Sequence, residues 1–244
     1  MNGLGRGFAG IPTVVKNLII INVLVFLFDY MLKGVLNEWL ALYFFKNPMF
    51  RPFQVVTTMF AHGGFFHIGI NMFILWMFGS NLEHIWGPKR FLSFYIICGI
   101  GASLIYSGWN YFQYNQVVQQ LDAASVQEVI REGNAVLLSG RNYSNELLAK
   151  LNIIWNGSAV GASGAIFGIV VAYAMLFPNT KFMLIFLPIP IKAKYFLPGY
   201  ILIELILGIA NFKSDPIAHF AHLGGALVGF MLMKYWKLDK HRYN

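Results

Sequence analysis

The sequence predicts an all-α membrane protein, a polytopic bundle of six transmembrane helices that forms a single domain over residues 1–244. Of the 244 residues, 57% are hydrophobic and only 11% are charged, whereas about 25% of the residues of a typical soluble domain are charged. Apolar runs long enough to cross a bilayer recur along the chain, and Gly or Pro stands where several of them stop. Lipid is therefore the expected solvent for much of the surface.

Six segments have the length and the apolar composition of membrane helices, which need about 20 residues to cross a bilayer, or fewer when they are buried. The predicted spans are residues 14–32, 68–86, 91–108, 160–177, 196–212 and 217–236. The first segment is too long for the core of a signal peptide, and no small-residue cleavage site follows it. We therefore expect it to be retained as the first span.

The distribution of basic residues predicts the orientation of these spans. An even number of spans places both termini on one side of the membrane, and the segments on that side contain eleven of the 18 Lys and Arg residues. The other seven are spread over much longer loops. Because positive charge is enriched in cytoplasmic loops, both termini are expected in the cytoplasm. We expect an integral, multi-pass protein of the cell (inner) membrane.

Several classes of function are disfavoured. The net charge of +8 does not indicate nucleic-acid binding, because the basic residues are dispersed among apolar stretches. Cys98 is the only cysteine, so neither an intrachain disulfide nor a cysteine-based metal site is expected. No internal repeat of the kind found in many transporters is visible. The chemistry must therefore come from other side chains.

Two segments on the outer side are unusual. Residues 33–64 are rich in aromatic side chains, so we expect this first loop to lie in the membrane interface. Residues 109–158 form the only extended polar stretch, which we expect to be an external insert. Within it, Ser144 is the expected cap of a helix whose apolar stripe either packs on the protein core, which is the favoured alternative, or lies on lipid. The stripe consists of Leu147, Leu148, Leu151, Ile154 and Trp155.

Ser163 is the candidate nucleophile. It lies in Gly161-Ala162-Ser163-Gly164, which opens the fourth span just below the outer surface. At a helix N-terminus, unpaired N–H groups carry partial positive charge and stabilise an anion that forms there. Small neighbours leave room for a peptide. The alternative is that these residues only pack helices together, with Ser163 as an N-cap.

His222 is the candidate general base, at the outer end of the sixth span. Gly164 and Gly168 on one helix, and Gly225 and Gly229 on the other, have the four-residue spacing that lets helix backbones approach closely. If these faces meet, a neutral imidazole can take the proton of Ser163 during attack. No acidic residue is close enough in sequence to suggest an orienting third member. The alternative is a histidine that is hydrogen-bonded inside the bundle.

His67 and Asn71 lie four residues apart at the outer end of the second span, hence on one face of its helix. Fixed side-chain donors are what a developing oxyanion requires, although hydrogen bonds between helices would also explain them. Two of the carboxylates within spans, Glu83 and Glu204, are not expected to take part in catalysis. Glu83 lies at the cytoplasmic end of its span and Glu204 in the middle of another, and both are expected to make buried hydrogen bonds or ion pairs.

Together, these residues resemble the rhomboid family of intramembrane serine proteases. The resemblance covers essentially the whole chain: six spans, His62, His67 and Asn71 in the second, Gly161 to Gly164 in the fourth, and Ala221-His222-Leu223-Gly224-Gly225 in the sixth. It implies a serine endopeptidase that needs no metal or cofactor. Ser163 and His222 would form the dyad, and His67, Asn71 and the backbone N–H of Ser163 would receive the oxyanion.

The resemblance also implies supporting roles. His62 would support the first loop and the second helix, Glu83 would take a structural carboxylate position, and Phe167 would pack against the ring of His222. The family's frequent Trp-Arg pair in the first loop is replaced here by Phe50 and Arg51. Substrates would be single-span membrane proteins, cut near the outer end of their helix after a small residue. A cavity lidded by the loop around residues 213–216 would admit water.

Two other classes of protein compete with the protease. In the first, His62, His67, His219 and His222 bind a metal or haem, which leaves Ser163 and its glycines unexplained. In the second, a catalytically silent relative only binds membrane proteins, but such a protein is expected to lack the serine or the histidine. A transporter is disfavoured because no paired broken helices are present.

Overall fold

The computed structural model describes residues 10–184, 187–210 and 218–237. Its helices are α1 (Thr13–Met31), α2 (Val35–Leu40), α3 (Gln54–Thr57), α4 (Phe65–Ile74), α5 (Ser80–Trp86), α6 (Pro88–Val118), α7 (Ala123–Leu138), α8 (Glu146–Asn156), α9 (Ser163–Leu176), α10 (Ala193–Ala210) and α11 (His219–Tyr235). Its strands are β1 (Leu42–Tyr43), β2 (Ser158–Ala159), β3 (Lys181–Leu184) and β4 (Leu187–Lys192).

The prediction of an all-α membrane bundle is confirmed, since each of the six predicted segments contains a helix. Four of these helices are long and apolar enough to cross a bilayer: Thr13–Met31, Phe65–Trp86, Pro88–Val118 and Ala193–Ala210. The other two, α9 and α11, have 14 and 17 residues. Because most residues of α9 are buried by the surrounding helices, it is the central helix of the bundle. The count of six crossings stays a prediction.

Glycines allow α9 and α11 to approach each other closely, as the four-residue spacing predicts. A Cβ atom added to Gly225 would collide with the backbone oxygen of Gly164, and one added to Gly229 would lie 2.6 Å from the Cα of Gly168. Helix α6 packs against the same pair, since a Cβ on Gly168 would also collide with Cys98. The three helices thus share one tightly packed core.

The predicted second span is one continuous helical segment with a widened turn. Residues Leu75–Gly79 form a π-helical turn between α4 and α5, and Gly87, with a φ of +79°, ends the segment before Pro88 starts α6. In α5, the carboxylate of Glu83 accepts the N–H groups of Val14 and Val15 at 2.9 and 2.8 Å. Glu83 therefore caps the N-terminus of α1, which is the buried hydrogen bonding expected of it.

The first loop is ordered by Gln54 and Arg51. The Gln54 amide donates to the carbonyl oxygens of Trp39 and Met49 at 3.2 and 3.0 Å, and it accepts the N–H of Arg51 at 3.0 Å. The Arg51 guanidinium donates to the carbonyl oxygens of Pro48 and Phe50 at 2.6 and 2.9 Å. The loop is thus anchored without the family's tryptophan. Its placement in the membrane interface stays a prediction.

Residues 109–158 are more helical than the sequence interpretation allowed. Helix α6 has 31 residues, a length of about 46 Å at 1.5 Å per residue, so it continues through residues 109–118 beyond a hydrocarbon core of about 30 Å. Helix α7 was not predicted. It begins after Asp122, whose side chain accepts the N–H of Ser125 at 2.8 Å.

The apolar stripe of α8 packs on protein, as predicted, but the prediction of its cap residue was wrong. Asn145 rather than Ser144 caps α8, because its side-chain oxygen reaches the N–H groups of Leu147 and Leu148 at 2.9 and 3.2 Å. This position directly precedes the first helical residue. The helix joins α6, α7 and the first loop in a second apolar core, formed by Phe44, Val117, Val126, Val129, Leu151, Ile154 and Trp155.

Two short sheets connect segments outside the bundle. Strand β1 of the first loop pairs with β2, the segment that precedes Ser163, in antiparallel register. Strands β3 and β4 form a hairpin between α9 and α10, where the sequence interpretation placed only a loop. The first sheet matters for the site, because it ties the first loop to the entrance of α9.

Candidate active site

Ser163 is the first residue of α9, and the chain before it is held by the first loop. Ala162 occupies the N-cap position and makes no side-chain cap, so Ser163 is not the N-cap. Gly161 donates its N–H to the Thr58 carbonyl oxygen at 2.9 Å, and the Thr58 hydroxyl donates to the Ala159 carbonyl oxygen at 2.7 Å. The hydroxyl of Ser163 therefore does not cap the helix.

Gly161 is required where it stands. Its φ of +130° is unfavourable for residues with a side chain. A Cβ atom there would lie 2.8 Å from Nε2 of His67 and 3.5 Å from Oγ of Ser163. The glycine therefore leaves open the space between His67 and the serine hydroxyl.

His222 lies in the first turn of α11, with its ring directed at Ser163. Its Nε2 is 2.8 Å from Oγ of Ser163, within the range of a good hydrogen bond. The ring of Phe167, one turn after Ser163, stacks on the His222 ring at a centroid distance of 4.3 Å and an interplanar angle of 11°. The close approach of α9 and α11 thus places the two side chains in contact and holds the imidazole plane.

A carboxylate completes this group. Oε2 of Glu204, on α10, lies 3.0 Å from Nδ1 of His222 and 2.7 Å from Nδ1 of His219. The buried hydrogen bonding expected of Glu204 is therefore confirmed, but its contact with His222 was not predicted. The contact between Glu204 and His222 is not apparent from the sequence, because the two residues belong to different helices. The available signal was an ionisable residue retained in the middle of an apolar span.

His67 lies on the face of α4 that borders the serine segment, and Asn71 follows it by one turn on the same helix. Nδ1 of His67 accepts the N–H of Gly63 at 3.4 Å, so the proton of a neutral ring lies on Nε2, the atom beside Gly161. Asn71 is 3% exposed, and its amide nitrogen has no hydrogen-bond partner among the residues that the structure describes. A buried donor without a partner is costly and is available to a ligand.

His62 lies behind His67. It is 1% exposed, its ring centroid is 5.1 Å from that of His67, and its carbonyl oxygen accepts the Asn37 side chain at 3.0 Å. Burial, reinforced by the nearby His67, lowers the pKa of His62 to about 4. His62 is thus a neutral residue that joins the first loop to the start of α4.

We expect this burial to make the bundle acid-sensitive. The pKa of His62 is lower in the folded protein than its usual 6.5, so the unfolded chain binds the proton more readily. The contribution of neutral His62 is complete above pH 6.5 and is lost as the pH falls towards 4. Thermal unfolding of wild type and His62→Gln at pH 7 and pH 5 measures this contribution. From pH 7 to pH 5, the Tm of the variant is expected to fall less than that of wild type. An equal fall would contradict the claim that neutral, buried His62 makes the bundle acid-sensitive.

A small cavity adjoins Ser163, the candidate nucleophile. Its volume is about 30 Å³, and its wall includes Gly161, Ser163, Ala102, Ser103 and Ala218. A water molecule requires roughly 10–15 Å³ of such volume, so the cavity accommodates water or a small side chain. The proposed lid, residues 213–216, lies outside the described residues.

The four-histidine metal site is not formed by the described residues. Among them, the group that could hold a metal ion consists of Glu204, His219 and His222, whose ligand atoms lie within 4.8 Å of one another. His62 and His67 are not part of it. The hydrogen bonds of Glu204 to both imidazoles account for this cluster without an ion.

Several known proteins are similar to this chain in sequence. Residues 49–237 match the family model of the Rhomboid domain. The chain is 27% identical over 201 residues to Rhomboid protein 1, mitochondrial, of Saccharomyces cerevisiae. These residues cover 80% of this chain and 44% of that protein. It is 25% identical over 214 residues to the Presenilin-associated rhomboid-like protein, mitochondrial, of Bos taurus, covering 86% and 46%.

A bacterial relative is named as a protease. The Rhomboid protease AarA of Providencia stuartii is 27% identical over 196 residues, which cover 76% of this chain and 56% of that protein. The chain spans about half the length of the curated relatives it matches. Because the family model covers most of the described bundle, this multi-pass integral membrane protein belongs to the rhomboid family.

Proposed function

We propose that this chain is an intramembrane serine endopeptidase in which Ser163 is the nucleophile and His222 the general base. The observation that carries the proposal is the 2.8 Å contact between Oγ of Ser163 and Nε2 of His222. The stacked ring of Phe167 fixes the imidazole in that contact. The bacterial relative named as a protease supports the same activity.

In the proposed reaction, Oγ of Ser163 bonds to the carbonyl carbon of the scissile peptide while its proton moves to Nε2 of His222. The carbon–nitrogen bond then breaks, and His222 returns the proton to the leaving amine. Water attacks the resulting ester, again giving a proton to His222. The bond between the acyl carbon and Oγ then breaks, His222 returns the proton to Oγ of Ser163, and the second product leaves with a new carboxyl group.

The oxyanion would be received by three donors, Nε2–H of His67, the side-chain amide of Asn71 and the backbone N–H of Ser163. The backbone donor lies at the N-terminus of α9, where N–H groups are unpaired. The buried Asn71 amide would gain its hydrogen bond only when the oxyanion forms. Such differential binding lowers the barrier rather than strengthening substrate binding.

Asn71→Ala is expected to lower kcat by about 100-fold while KM changes little, because the loss of one oxyanion donor costs about 10²–10³ in kcat. Asn81→Ala is the matched control, since Asn81 is an exposed residue on α5 whose amide donates to the Met77 carbonyl oxygen in the preceding π-helical turn. Steady-state kinetics on a fluorescence-quenched, single-span substrate measure kcat and KM for both variants. Wild-type kcat in folded Asn71→Ala protein would contradict the role.

The proposed substrates are single-span membrane proteins held in the same lipid bilayer, and no nucleic acid is involved. A regular helix hides its carbonyl groups, so helix-weakening residues near the cut favour cleavage. The cavity beside Ser163, with a volume of about 30 Å³, fits a small residue before the scissile bond. The proposed location is the cell (inner) membrane with both termini cytoplasmic, although two of the relatives are named as mitochondrial proteins.

Reconstitution tests the proposal. The purified protein is placed in vesicles with a model single-span substrate that carries alanine or leucine at the outer end of its helix. We expect two fragments whose masses place the cut after the alanine. Absence of cleavage by folded protein, or a preference for leucine, would contradict the proposal.

A further inference from the structure

Glu204 is a buried carboxylate on a helix whose middle turns present apolar side chains outward. Its relative exposure is 3%, whereas Leu202, Ile203 and Ile206 are 55%, 52% and 56% exposed. An ionisable residue at such a position is costly unless it is paired. The partners of Glu204 include the two histidines of α11.

The packing of α10 on α11 delivers this carboxylate to the site. The inward residues Leu197, Glu204 and Gly208 are buried, and their spacing places them on one face of the helix. A Cβ atom on Gly208 would lie 3.0 Å from the Cβ of His219 and 2.9 Å from the ring of Phe220. The glycine therefore allows the close approach that brings Glu204, one turn earlier, to the imidazoles.

The hydrogen bonds of Glu204 select one tautomer of His222. An ionised carboxylate only accepts hydrogen bonds, so the imidazoles at 2.7 and 3.0 Å both donate from Nδ1. A neutral His222 with its proton on Nδ1 has a lone pair on Nε2. That atom faces the Ser163 hydroxyl at 2.8 Å and can accept its proton.

We infer that Glu204 is a positioning residue that turns the serine–histidine pair into a Ser163–His222–Glu204 triad, an inference that rests on the proposed function. Glu204 holds the base in the tautomer that can take the serine proton. Its charge also stabilises the imidazolium that forms during attack, where lipid and protein exclude most water. His219, bonded to the same oxygen, holds the carboxylate in place.

A purely structural role would have different consequences, and Glu83 shows what that role looks like. Both glutamates are buried, with exposures of 4% for Glu83 and 3% for Glu204. In the described hydrogen bonds Glu83 contacts only backbone N–H groups of α1, and neither Ser163 nor His222 is among those partners. The same substitution at the two positions therefore separates a loss of stability from a loss of chemistry.

The experiment compares Glu204→Gln with Glu83→Gln in vesicles containing the single-span substrate. Glu204→Gln is expected to lower kcat by about 100-fold or more with KM within two-fold of wild type, since an amide in the carboxylate position of such a triad favours the wrong tautomer. Glu83→Gln is expected to lower Tm while keeping kcat per folded molecule. Glu204→Asp retains the charge but sets the carboxylate back by one methylene group from Nδ1 of His222, so its kcat should lie between those of wild type and Glu204→Gln.

Two results would overturn the inference while leaving the proposed function intact. One is a kcat for folded Glu204→Gln within three-fold of an active wild type. The other is a kcat for Glu204→Asp equal to that of wild type when Glu204→Gln does not fold. An inactive wild type would instead refute the proposed function itself, so the two failures are distinguishable.

Discussion

Ser163→Ala and His222→Ala are each expected to reduce cleavage of a single-span substrate by about 10⁴-fold or more. The nucleophile and its base act as one unit, so removing either is expected to cost nearly as much as removing both. The 2.8 Å contact between Ser163 and His222 is the physical reason. Initial rates in vesicles, normalised to folded protein, measure the loss.

Ser93→Ala is the matched control for this pair. Ser93 lies on α6 and donates its hydroxyl to the Lys89 carbonyl oxygen of the preceding turn at 3.0 Å. Loss of that local bond is expected to leave cleavage unchanged. Retained cleavage by Ser163→Ala, with Ser93→Ala behaving as wild type, would remove the serine from the mechanism.

Gly225→Ala is expected to abolish activity by another route, with a loss of at least about 100-fold and a lower Tm. The added Cβ would collide with the backbone oxygen of Gly164, so α9 and α11 must separate. Overpacking of this kind costs about 1–3 kcal/mol, and the shift lengthens the contact between Ser163 and His222. Activity assays and thermal unfolding report the two effects.

Gly69→Ala provides the comparison, because a Cβ atom at Gly69 has no neighbour within 4 Å. Alanine is also favoured over glycine in a helix. This variant should keep both its activity and its Tm. If Gly225→Ala were as active and as stable as Gly69→Ala, the close packing of α9 and α11 would not be required.

Local pattern was sufficient to predict the bundle and the serine–histidine contact. Apolar length marks each membrane helix, and the glycine spacing at 164, 168, 225 and 229 fixes which faces of α9 and α11 can meet. Because both helices start at the same membrane side, their first turns carry Ser163 and His222 together. These relations depend on spacing within short segments, which a single sequence displays.

The parts that could not be predicted depend on contacts between distant segments. Glu204 meets His222 because Gly208 brings α10 against α11, and no local pattern records that packing. Helix α7 lies in a polar stretch whose buried face, including Val126 and Val129, faces a second core. The observed cap of α8, Asn145, lies one residue after the predicted cap, Ser144, because both residue types are good caps and the sequence does not distinguish them.

Covalent labelling with a serine-reactive phosphonate tests the central claim most directly. Detergent-purified wild type is expected to carry one adduct, which peptide mass spectrometry places on Ser163, and His222→Ala is expected to lose it although the serine remains. Folded wild type that stays unlabelled, or an adduct that persists at another serine in Ser163→Ala, would contradict the account.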